Sequence, residues 1–539
     1  MRKEELLDGI LCRKIYEGAH ASETEVTGVT AKMDHRRIIP GDLYVCVRGV
    51  RFDSHSVICD VIRRGAALVV IESDHTEAVL KAIEAQGTGD AGFAAALSRV
   101  TIVATDAIRK TKALLMAAYY DHPERKMKMI ALTGSKGKTT TTHMISEILS
   151  ASGLKSGSIG SSGAIVDGQM EELPNSTPDS DELFRILDGF VKAGCQCAVV
   201  ECSSAGIMMD RVAGITFDYA LFLNIVEGDH ISPIEHKSFE EYLHFKSMLM
   251  DVARQPIVCY DSQHLDAFLS EIRGRGITNT VFFGTGPKPE QLKLEGTEQA
   301  LFYADNIREI SDQFRPMVHM DVYEEGAANA PAASVDVNFP GLYQVGNAMA
   351  AITVTRLMGI SYETIAETLS HIHVPGRLDM VYQSTRFSVC VDFAHNGYST
   401  RNLLVSLRRF LPKRLVCVFS ADGNRALSRR FEMGEACGRL ADLSIVTSGH
   451  NRYETFENIF LTIAQGLKLT KGNYVVIPNR KKAIRYAIEH VQEGDLIAII
   501  DLGQETYQEI NGVKIPYSDT EYVKKVIAEL IPQDTLEMP

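Results

Sequence analysis

The chain of 539 residues carries 69 acidic against 56 basic side chains, a formal charge of -13, and 45% hydrophobic residues. At ~100–200 residues per domain, this length exceeds one core and fits three or four. The composition excludes a disordered polyelectrolyte, and the acid excess gives no general attraction to nucleic acid, so an anionic ligand has to be gripped locally.

The start, Met1-Arg2-Lys3-Glu4-Glu5, lacks the apolar core of a signal peptide, and no run of ~18 apolar residues follows. A cytoplasmic protein without membrane insertion is expected. Residues 1–122 alternate short apolar segments with turns, as at Leu43-Tyr44-Val45-Cys46-Val47 and Ala66-Ala67-Leu68-Val69-Val70-Ile71, which predicts a small α/β domain. The polar stretch Asp121–Lys126 ends it. A strand at Met127–Leu132 then opens a second domain over 123–375, where strand, loop and helix repeat in the pattern of a parallel sheet with covering helices. Glu324–Pro331 reads as a surface loop. A third α/β block, 376–539, has candidate strands at Ser388–Asp392, Leu415–Ser420, Leu443–Thr447, Tyr474–Ile477 and Leu496–Asp501. The ten cysteines are scattered, several within apolar runs, which suits reduced thiols; Cys195-Gln196-Cys197 has no second ligand pair for zinc.

The sharpest local pattern is Thr133-Gly134-Ser135-Lys136-Gly137-Lys138-Thr139-Thr140, set between an apolar strand and an amphipathic helix. Backbone N–H groups and the helix start would hold phosphate oxygens, Lys138 would neutralise them and Thr139 would face Mg²⁺. The spacing is shorter than the full phosphate-loop pattern, and a solvated glycine turn is the plain alternative. Downstream, Glu201 and Asn224 follow buried strands, with His230 shortly after. Polar groups past parallel strand ends line the ligand crevice, so Glu201 and His230 are candidate magnesium ligands or, more plainly, hydrogen-bonded loop side chains. In a helix over Phe239–Asp251, Lys246 falls within the apolar stripe of Phe239, Tyr242, Leu243, Leu249 and Met250. Such a lysine has to snorkel, pair, lose its proton or be chemically modified. Arg377 reads as a nucleotide contact or a linker salt bridge, and Asp392 and His395 stand at another strand end with the same two readings.

Taken in order, the phosphate loop, Asn175-Ser176-Thr177-Pro178-Asp179-Ser180, Glu201-Cys202-Ser203-Ser204, Asn224 with Asp229-His230, Lys246, Pro340-Gly341 with Asn347-Ala348-Met349-Ala350-Ala351, Pro375-Gly376-Arg377 and Asp392-Phe393-Ala394-His395-Asn396 resemble the bacterial Mur ligase family over nearly the whole chain. Within it they look like the tripeptide-synthetase branch, and Phe222-Leu223-Asn224 through Asp229–His236 looks like its lysine-adding members. The resemblance implies an α/β protein of three domains: a small N-terminal UDP-binding domain, a central P-loop parallel-sheet ATPase domain and a C-terminal Rossmann-like domain receiving the amino acid. It implies an ATP-dependent amide-bond ligase of peptidoglycan precursor synthesis, working as a monomer on small molecules: ATP, a UDP-muramoyl dipeptide and an amino acid. ATP would phosphorylate the dipeptide carboxylate, and the incoming amine would attack the acyl phosphate.

By the same resemblance Lys138, Glu201, His230 and Lys246 form the catalytic set. Gly134, Ser135, Lys136, Gly137, Lys138, Thr139, Thr140, Asn347, Arg377 and Asp392 bind ATP. Thr139, Glu201, His230 and Lys246, the last as a CO₂-derived carbamate, bind Mg²⁺. Asp34, Arg36, Asn175, Ser176, Thr177, Ser203 and Arg211 hold the UDP-muramoyl peptide, and His395, Arg425, Arg452 and Glu505 hold the amino acid. The chain departs from the family at several points. Ser-Ser-His reads Ser203-Ser204-Ala205, Met209 replaces a glutamine, and Asp-Ser-Arg reads Asp34-His35-Arg36. Asp-Asn-Pro-Arg reads Gly449-His450-Asn451-Arg452, and Gly-Lys-Gly-His-Glu reads Asp501-Leu502-Gly503-Gln504-Glu505. With Glu505 and Asp501 available to a cationic side chain, L-lysine is expected ahead of diaminopimelate. A ligase for a different carboxylate, such as a folate or polyamide, and a nucleotide-binding regulator are the alternatives.

Overall fold

A computed structural model describes the chain except residues 31, 32, 50, 51, 88, 89, 228–230, 232–235, 287–300, 313, 314, 326–329, 340, 343, 374, 375, 377 and 532–539. The chain divides into two compact units, one of Met1–Gly284, Lys288–Leu301 and Ala350–Gly359, the other of Thr285–Pro287, Phe302–Met349 and Ile360–Pro539. The sheets divide it further, into a three-domain α/β fold.

The first unit begins with strands Arg13–Glu17, Thr101–Thr105, Leu68–Glu72, Asp42–Val45 and Gly28–Val29, in that spatial order. The first pair is antiparallel and the rest are parallel. Leu68, Val69, Val70 and Ile71 are wholly buried, as a continuous apolar run covered on both faces requires. Helix Ile108–Tyr119 then packs on helix Ser180–Lys192 of the next sheet. Buried Lys112 on the first helix meets Asp181 at 2.6 Å and Asp179 at 3.1 Å.

In the second sheet the strand Lys128–Thr133 lies between Cys197–Glu201 and Phe217–Phe222, parallel to both. Met129, Ile130, Ala131 and Leu132 have no solvent exposure. The expected all-parallel pattern is incomplete. Beyond Cys197–Glu201, strands Ser156–Gly160, Gly163–Val166 and Gln169–Glu171 form an antiparallel meander. Its last turn is Asp167-Gly168, both at positive φ, the conformation of a tight hairpin. Leu301–Asp312, Arg315–Glu324 and Ala333–Val337 are also antiparallel. Of the loop expected over Glu324–Pro331, Glu324 ends a strand, residues 326–329 lie outside the described residues, and Ala330 and Pro331 are exposed between the second and third of these strands.

The C-terminal sheet has the order Asp379–Gln383, Phe387–Asp392, Asp495–Ile500, Arg414–Phe419, Leu443–Val446, Asn473–Val476, parallel except for its first strand. The five strands expected from sequence are present within a residue or so at each end. The chain's last strand in this sheet inserts between its second and third, which makes a Rossmann-like switch point at the carboxyl ends of Phe387–Asp392, Asp495–Ile500 and Arg414–Phe419. Among the described residues no helix is long and apolar enough to cross a membrane, and the cysteines are free thiols.

Below the switch point Arg480 is wholly buried and grips Asp519 through two bonds of 2.6 and 2.8 Å, with Nη2 also donating to the Ile500 carbonyl at 2.9 Å. Removing one partner of such a pair leaves an uncompensated buried charge. Arg480→Met is expected to lower the unfolding free energy of the full chain by about 3–5 kcal/mol in urea; a loss below about 1 kcal/mol would show the pair to be dispensable.

Candidate functional site

The parallel register sets the first part of the site. Leu132 stands beside Glu201, and Thr133 beside Phe222, so three strands deliver their following residues to one edge. The loop from Gly134 to Gly137 leads into helix Lys138–Ala151, with Gly137 at φ 86° making the turn that a side chain would oppose. Asn224 fixes the loop from the neighbouring strand end. Its carbonyl accepts the Ser135 N–H at 3.0 Å, its Oδ1 accepts the Lys136 N–H at 2.9 Å, and its Nδ2 donates to the Lys136 carbonyl at 3.1 Å. A Cβ at Gly134 would stand 3.0 Å from the Leu223 Cβ, a tight approach that a glycine makes without displacing its neighbour. Lys138 Nζ lies over the loop, donating to the Gly134 carbonyl at 2.7 Å, and Thr139 and Thr140 open the helix. The loop residues expected to meet phosphate thus form one structure with a helix N-terminus.

Glu201 is 1% exposed. Its two carboxylate oxygens accept the Ser161 N–H at 3.2 Å and the Ser161 hydroxyl at 3.3 Å. A Cβ on Gly160 would collide with this carboxylate, so the strand end is cut to fit it. On its other side, Thr177 Oγ1 donates to the Glu201 carbonyl at 2.9 Å and accepts the Ser203 N–H at 2.9 Å, with Ser203 Oγ 3.0 Å away. Arg211 Nη1 donates to the Thr177 carbonyl at 2.7 Å. Thr177, Ser203 and Arg211 are therefore brought together, beside exposed Asn175 and half-buried Ser176. Burial lowers the Arg211 pKa, though Asp179 counters it. Asp34 and Arg36 stand on the N-terminal sheet's domain and bind each other at 2.8 and 2.9 Å, a pairing that holds Asp34 well below the usual carboxylate range.

Lys246 does not snorkel: it is 2% exposed on helix Phe239–Ser247. Its Nζ lies 4.6 Å from the centre of the Tyr242 ring, one turn earlier. The Tyr242 hydroxyl in turn lies 2.8 Å from Ser135 Oγ, which also accepts the Val226 N–H at 2.9 Å. One aromatic side chain therefore links the buried lysine to the phosphate loop. Sequence reading placed Tyr242 only in the apolar stripe, because periodicity reports burial and not the hydroxyl at the ring's far end. The helix is α-helical to Ser247 and continues as a 3₁₀ turn, Met248–Val252.

Hard oxygen donors suit Mg²⁺, and the Thr139 hydroxyl and Glu201 carboxylate fit that preference. His230 and Arg377, expected at the metal and the nucleotide, lie outside the described residues. Asn347 Nδ2 donates to Gln344 Oε1 at 2.7 Å. The Asp392 carboxylate accepts the Leu378 N–H at 2.6 Å and the Ala394 N–H at 2.7 Å. His395 Nδ1 donates to the Phe393 carbonyl at 2.8 Å.

A second polar cluster occupies the C-terminal switch point. Asp422 receives Arg452 Nη2 at 3.1 Å and lies 3.8 Å from Arg425 Nε. His450 Nδ1 accepts the Glu509 N–H at 2.9 Å, which puts its ring proton on Nε2, against Glu505. Asp501 accepts the Ser420 hydroxyl. Arg425, Arg452 and Glu505 were expected here; Asp422 and Glu509 were missed, because nothing local in sequence ties them to the same crevice. Burial, then the neighbouring Asp422, raises the Asp501 carboxyl to about 7, while Arg480 and Ser420 pull the other way.

Two outcomes are expected. Tyr242→Phe removes the bridge to Ser135 and lowers kcat/KM for ATP roughly 3- to 10-fold; unchanged steady-state kinetics would show that the bridge does not position the loop. The folded Asp501 retains its proton up to about pH 7, whereas an unfolded aspartate loses it near ~4. Its contribution to stability is therefore present below about pH 4 and is lost as pH rises towards about 7. Asp501→Asn removes that decline, so thermal melts should show the variant gaining on the wild type from pH 4 to pH 7, and a constant gap would contradict this.

Residues 132–355 match the Mur ligase middle domain, and residues 376–500 match the Mur ligase, glutamate ligase domain. A UDP-N-acetylmuramoyl-L-alanyl-D-glutamate–2,6-diaminopimelate ligase of Caldanaerobacter subterraneus subsp. tengcongensis is 30% identical over 532 residues, 98% of this chain and 99% of that one. A Clostridium acetobutylicum protein of the same name, numbered 1, is 31% identical over 502 residues, 92% of this chain and 94% of that one. A solved structure of a diaminopimelate ligase superposes with a TM-score of 0.61 at 21% identity, covering 94% of this chain and 95% of its own. Further relatives bear the diaminopimelate name. The expectation of a lysine-adding branch is therefore corrected. It rested on Phe222–His236, a segment that borders the phosphate loop through Asn224, and on Glu505 and Asp501 as partners for a cationic side chain, whereas the cluster around those acids carries Arg452 and Arg425 as well. The chain belongs to the Mur ligase family and is an ATP-dependent amide-bond ligase.

Proposed function

We propose that this ligase joins the free carboxylate of UDP-N-acetylmuramoyl-L-alanyl-D-glutamate to an amine of 2,6-diaminopimelate, in peptidoglycan precursor synthesis. The observation that carries this reading is the near end-to-end match to relatives named for that reaction. The C-terminal cluster supports it chemically. Diaminopimelate ends in both an ammonium and a carboxylate, and Arg425 and Arg452 beside Asp501 and Glu505 offer groups of both signs, whereas the side chain of lysine brings only an ammonium.

On this reading the loop amides, with Lys138, hold the ATP phosphates, and Thr139 and Glu201 hold Mg²⁺, which neutralises phosphate charge when bound. Thr177, Ser203 and Arg211 hold the muramoyl peptide. Phosphoryl transfer to its carboxylate makes the carbonyl carbon electrophilic, and attack by the amine expels phosphate and forms the amide. Lys246 acts as a carbamate: its ammonium gives up one proton, the free amine adds to CO₂ through a new N–C bond and a second proton leaves, so an oxygen-donor anion replaces a buried cation. Consumption of ATP supports the expected cytoplasmic location.

Mass spectrometry of the product from UDP-muramoyl dipeptide, ATP and a mixed amino-acid pool tests the assignment. A mass increase of one diaminopimelate residue is expected, and addition of another amino acid, or none, would defeat it. Activity with a folate or polyamide acceptor instead would favour the non-wall reading. Lys246→Ala should lower turnover roughly 100-fold or more, with partial recovery on adding short carboxylic acids, because a diffusing carboxylate can stand in for the carbamate; full activity without them would remove the carbamate from the account.

A further inference from the structure

Segment 172–179, between strand Gln169–Glu171 and helix Ser180–Lys192, belongs to no helix or strand, yet it carries Asn175, Ser176 and Thr177, three residues expected at the muramoyl peptide. Without a ladder of backbone bonds, such a segment keeps one shape only where side chains fasten it. Thr177 is tied to the Glu201 carbonyl and to Ser203, and Arg211 grips the Thr177 carbonyl. Asn175 is exposed and Ser176 half-buried, so the course of the chain past them depends also on how the far end is held.

At that end Asp179 caps the following helix: its Oδ1 accepts the Ser180 N–H at 3.1 Å and its carbonyl accepts the Leu183 N–H at 2.8 Å. Its Oδ2 lies 3.1 Å from the Nζ of Lys112, on helix Ile108–Tyr119, which follows the last strand of the N-terminal sheet. Lys112 is 4% exposed. A buried ammonium needs a carboxylate, and Asp181, itself largely covered, supplies one at 2.6 Å. Charge balance at the lysine is therefore met without Asp179, whose side chain is half exposed. Arg211 is the second cation beside Asp179; burial pushes this carboxyl up, and Lys112 with Arg211 brings it below its ordinary value. Cation, anion and cation thus run in series from helix Ile108–Tyr119 to the arginine that grips Thr177.

We propose that Lys112 is a positioning residue for the UDP-muramoyl dipeptide: by holding Asp179 it fixes the end of the loop that carries Asn175, Ser176 and Thr177, and it keeps a balancing carboxylate beside Arg211. Lys112 itself is buried and acts through the loop. This role rests on the reading above in which Thr177, Ser203 and Arg211 hold the muramoyl peptide. The phosphate loop is fastened separately, by Asn224, so ATP binding does not depend on the lysine.

The test is steady-state kinetics of the full chain with UDP-muramoyl dipeptide, ATP and diaminopimelate, alongside thermal melts, for wild type, Asp179→Asn, Asp181→Asn, Lys112→Met and the double variant Lys112→Met with Asp179→Asn. Asparagine caps a helix as well as aspartate does, so Asp179→Asn removes the charge and keeps the helix start. In Asp179→Asn and in Lys112→Met the KM for the dipeptide should rise roughly 3- to 10-fold, while kcat and the KM for ATP stay within about twofold of the wild type. The double variant should match the worse single variant, since both changes break one contact. Asp181→Asn leaves Lys112 on Asp179 and should lower the melting temperature while the dipeptide KM stays within about twofold; a merely structural lysine would give the two aspartate variants the same kinetics. An unchanged dipeptide KM in Asp179→Asn, an equal rise in the KM for ATP, an equal rise in Asp181→Asn, or a double variant whose effect is the product of the singles overturns the assignment and leaves the muramoyl-peptide reading standing. If Lys112→Met does not fold, Asp179→Asn against Asp181→Asn decides alone. Melts of the wild type that UDP-muramoyl dipeptide does not shift overturn both.

Discussion

The parallel pairing of Lys128–Thr133 with Cys197–Glu201 and Phe217–Phe222 is the constraint on which the ATP half of the molecule depends. The central strand is buried on both faces, and its register is held by parallel hydrogen bonding to both neighbours. The register brings three chain segments out of the sheet at one level. Asn224 can then fasten the phosphate loop, Glu201 can stand beside it, and Tyr242 can reach Ser135.

Buried cations show how the fold divides structural from chemical duties. Arg480 is satisfied by a two-bond grip on Asp519 and by a backbone carbonyl, so its charge serves the C-terminal sheet. Lys246 carries its amine over the Tyr242 ring, whose hydroxyl end meets the phosphate loop at Ser135. The contrast follows from side-chain shape, since a planar guanidinium matches a carboxylate through two parallel bonds while an amine is a compact nucleophile whose proton affinity responds to burial.

Much of this arrangement was legible in the sequence because it is local. The strand–loop–helix around Gly134–Thr140, the C-terminal strands and the misplaced Lys246 each follow from short-range periodicity. The antiparallel additions were less visible, although Asp167-Gly168 and Asn511-Gly512, both pairs at positive φ, carry the turn chemistry of tight hairpins. The Tyr242 bridge was beyond reach because it joins residues far apart in the chain. The amino acid was misjudged for a related reason. A resemblance near the phosphate loop and the acids Glu505 and Asp501 were weighed without the cations that share their cluster, Arg452 and Arg425 beside Asp422.

The central claim is that ATP activates a substrate carboxylate by phosphoryl transfer before the amide forms. The most direct measurement uses UDP-muramoyl dipeptide with ¹⁸O in the free glutamyl carboxylate and follows the label during turnover. The account predicts one labelled oxygen in the released phosphate, since the bond broken by the amine joins the carbonyl carbon to that oxygen. Unlabelled phosphate accompanying amide formation would contradict it.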